Sequence, residues 1–319
     1  MSSSKYTVVL LYCFFVLVQN ANADTCEKIQ AEFDHRSNSL FKKYEQINPD
    51  FILHEENKPT LSCGEKNEAV YLLHGFIGTP EEMSDVAEAL KIKGYTVLND
   101  IIPGHGSDAT IANRFTEVYW QAYVTKNISL LRSVYKKIHF IGFSTGALLI
   151  HNYLFEKRNE FSPTSTILYS PFYKPGKPFL DFLNTSLNDL IESVSIKKLY
   201  AITKFREIEV AVLKPQNYQE ELPLITAEQV VNLGEKVSKK MDVNFKTKIQ
   251  GKALVFLSAT DGLISFDHSK NYAEKSFNEY ELRIFKSNRV PHHLMVEEVS
   301  AAAANVIDST VGFIEKTDR

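Results

Sequence analysis

In the stretch "IHFIGFSTGALLI", Ser144 and Thr145 stand between Gly142 and Gly146 inside an otherwise apolar run. A strand core has no use for two hydroxyls, and a helix interior loses roughly 1 kcal/mol for each glycine. The G-x-S-x-G spacing between an apolar strand and an apolar helix reads instead as a sharp strand-to-helix turn, the nucleophile elbow. Such a turn lifts the serine hydroxyl clear of the sheet, and the positions two before and two after it must be small where strand and helix pass each other. Gly142 and Gly146 meet that need. A helix that starts at the serine also aims its free amides and positive dipole end at any charge developing beside it.

A serine hydroxyl at its ordinary pKa is a poor nucleophile and needs a base that is itself held by an acid. With a nucleophile elbow, the chain order is serine, acid, histidine. "ALVFLSATDG" places Asp261 just past one apolar run, and "IFKSNRVPHHLMVEE" places His292 and His293 just past another. His292 is read as the base, with His293 the alternative. Asp267 is the rival acid but lies further beyond the strand end. The second oxyanion donor is expected from the loop in "LLHGFIG", where the N–H of Phe76 would pair with that of Thr145. His74 in the same loop and His105 in "PGHG" read as loop-bracing residues. No His, Cys or carboxylate cluster has metal-ligand spacing and no glycine-rich phosphate loop appears, so no metal or cofactor is expected.

These residues need a scaffold, and from residue 69 onward short apolar runs alternate with amphipathic stretches. "AVYLL", "YTVL", "IHFIG", "STILYS", "ALVFLSA" and "YELRIF" read as strands, most of them continuous rather than alternating in polarity. That pattern predicts a parallel sheet covered on both faces by helices. Thr79, Pro80, Glu81 and Glu82 read as a helix start, and Gly94 as its stop. A capping box is expected at Thr226 and Gln229, and a final helix from about Val296 to Lys316. Residues 172–225 hold no convincing strand, but Phe179, Leu183, Leu187 and Leu190 recur at helical spacing. That segment reads as a helical insertion over one end of the sheet.

The 319 residues carry 36 basic and 39 acidic side chains, a balance that argues against a nucleic-acid or polyanion binder, which would need a basic surface. At the N-terminus, Lys5 precedes an apolar run from Tyr6 to Val18, and "NANADT" offers Ala21 and Ala23 as an A-x-A cleavage site. This is the layout of a secretory signal peptide, the run being shorter than the roughly 20 residues a membrane span needs. Cleavage after Ala23 removes Cys13 and leaves no integral membrane segment. Cys26 and Cys63 remain, and an exported chain with two cysteines most simply joins them. Two N-x-S/T sequons occur, at Asn127 and Asn184.

Taken in order, "LLHGFIGTPEEM", "IIPGHGSD", "IGFSTGALL", "LSATDGLIS" and "VPHHLM" resemble the motifs of the α/β-hydrolase family. More narrowly, they look like those of bacterial carboxylesterases and monoacylglycerol lipases. The resemblance covers roughly residues 66–316. It implies an α/β-hydrolase fold, with a mostly parallel central sheet flanked by helices and a small helical cap inserted after the sixth strand. It also implies Ser144, Asp261 and His292 as a catalytic triad, Phe76 and Thr145 as amide donors, and residues 172–225 as a cap shaping an acyl pocket. The N-terminal extension and the doubled histidine lie outside it.

The expected organisation is a signal peptide (1–23), an N-terminal helical extension (24–65), a hydrolase core (66–171 and 226–319) and the cap (172–225). The expected function is an exported serine hydrolase, periplasmic or secreted, that cleaves carboxylic esters of small-molecule or lipid substrates. Phe76, Phe143, Phe172 and Phe182 are candidates to line the acyl pocket. Acyl transfer, thioester or peptide cleavage by the same triad stay open, as does a non-catalytic ligand-binding protein of the same fold. The sequence leaves the oligomeric state undetermined.

Overall fold

Strands such as "AVYLL" have no polar face to turn toward water, so they are stable only when both faces are covered. A computed structural model describes residues 26–177, 179, 181, 193–203, 208–244 and 246–317, and in it those strands form the centre of a seven-stranded sheet. The strands are β1 (Thr60–Ser62), β2 (Glu68–Leu73), β3 (Thr96–Asp100), β4 (Lys137–Phe143), β5 (Ser165–Tyr169), β8 (Ile249–Ser258) and β9 (Phe277–Phe285). Their order across the sheet is β1-β3-β2-β4-β5-β8-β9. Only β1 runs antiparallel; every other neighbouring pair is parallel. Every residue of β2, β3 and β5 is buried, as the unbroken apolar runs require.

Helices α2 (Ser84–Ile92), α4 (Glu117–Arg132), α5 (Thr145–Lys157), α8 (Leu224–Val243), α9 (Phe266–Ser276) and α10 (Ala303–Thr317) accompany these strands, with α3 (Ala109–Ala112) a single turn after β3. Two buried apolar clusters result. One contains Trp120, Leu148, Phe155 and Met241, and the other Met83, Leu90, Tyr169 and Phe256.

The N-terminal extension is more than a helix. Helix α1 (residues 26–47) buries Cys26, Ile29, Phe33, Ser37, Leu40, Phe41 and Tyr44, a stripe at helical spacing. Beyond it the chain adds β1 to the sheet edge. The Cys26–Cys63 disulfide, with its Cα atoms 5.7 Å apart, ties the start of α1 to the residue after β1. Tyr44, fully buried, donates its hydroxyl to the carbonyl of His105 at 3.2 Å and accepts the N–H of Gly104. The extension thus braces the "PGHG" loop from beneath.

Several boundaries differ from the sequence reading. The segment between β5 and α8 follows the fifth strand along the chain, not the sixth. It contains a two-stranded antiparallel sheet of β6 (Ser193–Ser195) and β7 (Glu221–Pro223), with α6 (Ile196–Thr203) and α7 (Glu209–Leu213) between them. Three-residue strands leave too little periodicity to be read. Helix α8 begins at Leu224 behind Pro223 without a capping box. Thr226 Oγ1 donates instead to Asn113 Oδ1 at 2.9 Å, and Gln229 Oε1 accepts the N–H of Glu117, so both side chains join elements distant in sequence. The last helix starts at Ala303 rather than near Val296, because residues 290–302 are taken up by turns carrying the histidine loop. The expected signal peptide, Phe182, Leu183, Leu187, Leu190 and Asn184 lie outside the described residues. Asn127 is fully buried and donates to Asp100 at 2.8 Å, so in the folded chain its sequon is closed to glycosylation.

Candidate active site

Strand β4 ends at Phe143 and helix α5 starts at Thr145, which leaves Ser144 alone to make the turn, at φ 50° and ψ −112°. A non-glycine residue rarely adopts positive φ, and the surroundings enforce it here. The N–H of Ser144 donates to the carbonyl of Tyr169 at 2.9 Å, and its carbonyl accepts from Leu148 and Phe172. The flanking glycines are required by close approach. A Cβ on Gly146 would sit 2.3 Å from the carbonyl oxygens of Leu73 and His74, and one on Gly142 would sit 2.6 Å from the Cα of Ala147.

Asp261 and His292 arrive from loops beyond β8 and β9, 117 and 148 positions after the serine, at the C-terminal edge of the same sheet. His292 Nε2 lies 2.9 Å from Ser144 Oγ, and His292 Nδ1 lies 2.6 Å from Asp261 Oδ2. An ionised carboxylate only accepts, so Nδ1 carries the proton and Nε2 is left to accept from the serine hydroxyl. The other oxygen of Asp261 accepts the N–H groups of Leu263 and Ile264, at 2.9 and 3.3 Å, which fixes the carboxylate within its own turn. His292 is 2% exposed and packs against the ring of Phe143. Ser170, another positive-φ residue, donates its hydroxyl to the carbonyl of His292 at 3.2 Å.

The remaining expected residues sit as follows. Phe76 lies in the loop after β2 and borders the same cavity as Ser144, while Thr145 opens α5, whose first amides have no intrahelical partner. His293 does not face the serine: its Nε2 lies 3.4 Å from Glu82 Oε1. Asp267 is exposed at the start of α9, away from both histidines. His74 accepts the N–H of Ile102 on Nε2 at 3.0 Å, so Nδ1 is the donor to the carbonyl of Gly75 at 2.8 Å. That histidine holds two loops together, and burial keeps it neutral by pushing its pKa well below the usual value. His105 is equally buried and stacks edge-on between Phe76 and Trp120.

The sequence reading missed Glu82, which it took only as an acidic residue in a helix's first turn. It also missed the strained conformations at Ile77 and Ser170, for which sequence carries no signal.

Above Ser144 lies a cavity of about 310 Å³. Its walls are apolar, with Phe172, Phe179, Leu199, Ile208, Val210 and Leu222 among them, and its polar side chains are Ser144, Thr145, Tyr218, His292 and His293. Phe76, Phe143 and Phe172 line it as anticipated.

A monoacylglycerol lipase from Bacillus sp. (strain H-257), described as thermostable, is 38% identical over 80 residues, covering 25% of this chain and 32% of that protein. The match thus spans about a third of the relative's length. Among solved structures, one of the metagenome-derived lipolytic enzymes LipS and LipT superposes with a TM-score of 0.65 at 17% identity, over 83% of this chain and 100% of that one. Monoacylglycerol lipase of Paleococcus ferrophilus gives 0.59 at 15% identity, over 78% and 94%. A soluble variant of the Saccharomyces cerevisiae monoglyceride lipase gives 0.58 at 14% identity, over 84% and 90%. At these identities the likeness establishes the fold. The model of the Hydrolase_4 family, serine aminopeptidase S33, matches residues 64–298. With most of its length in that match and this sheet, the chain belongs to the Hydrolase_4 (serine aminopeptidase, S33) family of α/β-hydrolases.

Proposed function

We propose that the protein is an exported serine hydrolase that cleaves carboxylic esters with an apolar acyl group, as a carboxylesterase or monoacylglycerol lipase does. The observation that carries this reading is the apolar cavity opening onto Ser144 Oγ. Its volume lies at the lower end of the roughly 300–1,000 Å³ usual for ligand sites, which suits an extended hydrocarbon chain. An aminopeptidase, the activity in the family's name, needs a carboxylate to hold the substrate's ammonium group. Among the described residues, no Asp or Glu lines the cavity.

In the proposed mechanism, Ser144 Oγ attacks the ester carbonyl as its proton passes to His292 Nε2, and Asp261 stabilises the resulting imidazolium. The N–H groups of Phe76 and Thr145 would receive the oxyanion. Collapse expels the alcohol, which takes the proton back from His292. Water activated by His292 then releases the acid and restores the serine. The Cys26–Cys63 disulfide supports export, since such bonds persist in oxidising compartments. No helix among the described residues is long and apolar enough to cross a membrane.

The test is hydrolysis of p-nitrophenyl esters of increasing acyl length beside an aminoacyl p-nitroanilide. The expected result is ester cleavage with a defined best chain length and no anilide cleavage; preference for the anilide would overturn the reading. Ala227, buried and lining the cavity, offers a second check. Ala227→Trp fills the pocket and should move the preferred acyl chain to shorter lengths.

A further inference from the structure

One buried carboxylate near the site has no part in the mechanism just described. The Glu82 side chain is fully buried, and its contacts come from three separate stretches of chain. Oε2 accepts the N–H of Gly75, in the loop after β2, at 2.7 Å. Oε1 accepts the hydroxyl of Tyr218, just before β7, at 2.8 Å. Oε1 also lies 3.4 Å from Nε2 of His293, the neighbour of His292. Burial and the nearby Glu82 charge raise the Tyr218 pKa well above its usual value, so the phenol keeps its proton and acts as donor.

The loop from Gly75 to Gly78 is wrapped around this carboxylate. A Cβ on Gly75 would lie 3.3 Å from Oε2 and one on Gly78 only 2.7 Å from it. Between the two glycines sit Phe76, the oxyanion donor of the proposed mechanism, and Ile77, at φ 58°. A β-branched residue at positive φ is strained by about 1–3 kcal/mol, so the loop does not hold this shape by itself. It is held by neighbouring groups: Glu82 takes the N–H of Gly75, His74 Nδ1 donates to the carbonyl of Gly75 at 2.8 Å, and the N–H of Gln219 donates to the carbonyl of Ile77 at 3.0 Å.

We infer that Glu82 is a positioning residue: its carboxylate holds the Gly75–Gly78 loop in the strained form that presents the Phe76 amide to the oxyanion, and ties that loop to Tyr218 and His293. Glu82 touches no reacting atom and acts through the backbone of Gly75. The inference rests on the proposed role of Phe76. It predicts that loss of Glu82 weakens the transition state while leaving the acyl cavity intact.

The experiment compares Glu82→Gln, Glu82→Asp and Glu82→Met in the full chain. It reads kcat and KM on the best p-nitrophenyl ester, and the rate at which a serine-reactive phosphonate labels Ser144. Glu82→Met removes the acceptor and should lower kcat about 10²-fold or more, as loss of an oxyanion donor does, with KM within about threefold. Glu82→Asp keeps the charge but draws the acceptor back by one methylene, and should lose at least about tenfold in kcat. Glu82→Gln still offers Gly75 a carbonyl oxygen and should recover to within about threefold of the parent. The Asp variant decides the matter if the Met variant does not fold. Full kcat in the folded Asp variant, or a change confined to KM, overturns the inference. Phosphonate labelling keeps the two readings apart. Should the parent cleave no ester but label at Ser144, the proposed substrate is wrong while the effect of Glu82 on labelling still tests the inference.

Discussion

The sheet carries a serine, a histidine and a carboxylate in hydrogen-bonding sequence at both of its ends. At the C-terminal edge stand Ser144, His292 and Asp261, with contacts of 2.9 and 2.6 Å. At the N-terminal edge, Ser165 Oγ lies 2.7 Å from His139 Nδ1, and His139 Nε2 lies 3.1 Å from Glu68 Oε2. The residue types match and the distances nearly do. What differs is the backbone beneath and the space above. Ser165 is the first residue of β5, in register opposite His139 on β4, and both are completely buried. Its hydroxyl is not lifted on a strained turn, no helix begins beside it, and neither it nor His139 borders the cavity. Glu68 also pairs with Lys137 at 2.9 Å, a partner that Asp261 lacks among its bonds. In the proposed mechanism a Ser-His-acid set therefore gains chemistry from the elbow, the expected oxyanion amides and an apolar approach. Without them it is a polar brace between adjacent strands.

Mutagenesis at both ends would break or sharpen this contrast. Removing the proposed nucleophile in Ser144→Ala should abolish ester hydrolysis, a loss on the order of 10⁶ in kcat. Ser165→Ala should leave kcat/KM within about twofold, and equal losses in the two variants would erase the distinction. Next in size is the acid. Asp261→Asn leaves His292 in the wrong tautomer and should cost about 10⁴-fold in kcat. Glu68→Gln should leave turnover alone, as steady-state assays of the two purified variants would reveal.

Histidines without an acid partner sharpen the comparison from another side. Burial lowers the pKa of His105 to about 4 and of His151 to about 3, and lowers that of His74 as well. Each binds its proton more weakly when folded, so its contribution is complete above about pH 6.5 and lost as pH falls toward the folded value. Asp100, raised by burial to about 6, acts with the opposite sign, since its folded state binds the proton more tightly. The three fully buried histidines outweigh Asp100 and the less buried Glu81, whose pKa burial also raises. Stability should therefore fall as pH drops from about 6.5 toward 5, measured by denaturant unfolding. A flat profile there would mean that these sites take up water. The smallest effect is expected from the sealed set itself: His139→Leu leaves Glu68 and Ser165 short of a partner and should cost about 1–3 kcal/mol in stability, with kcat per folded molecule unchanged.

Ser144, the proposed nucleophile, stood out because three constraints converge on a few adjacent residues. Gly142, Ser144 and Gly146 must sit at fixed spacing between a strand and a helix, and steric demands at close approach leave a plain mark in sequence. Asp261 and His292, the proposed acid and base, could be singled out because chain order and strand ends narrow the choice. The doubled histidine was divided only by folding, which turned His292 toward Ser144 and His293 toward Glu82. Glu82 itself looked like any acid in a first turn, and Tyr218 like any tyrosine in an insertion. His139 and Ser165 gave no warning that they would form a second set. Local patterns determined the strands, the elbow and the order of the site, since those depend on neighbours along the chain. Which polar groups meet across the sheet, and which of them face an open cavity, was decided by the tertiary structure, because contacts between segments from 26 to 148 residues apart are fixed by packing and leave no periodicity in the sequence.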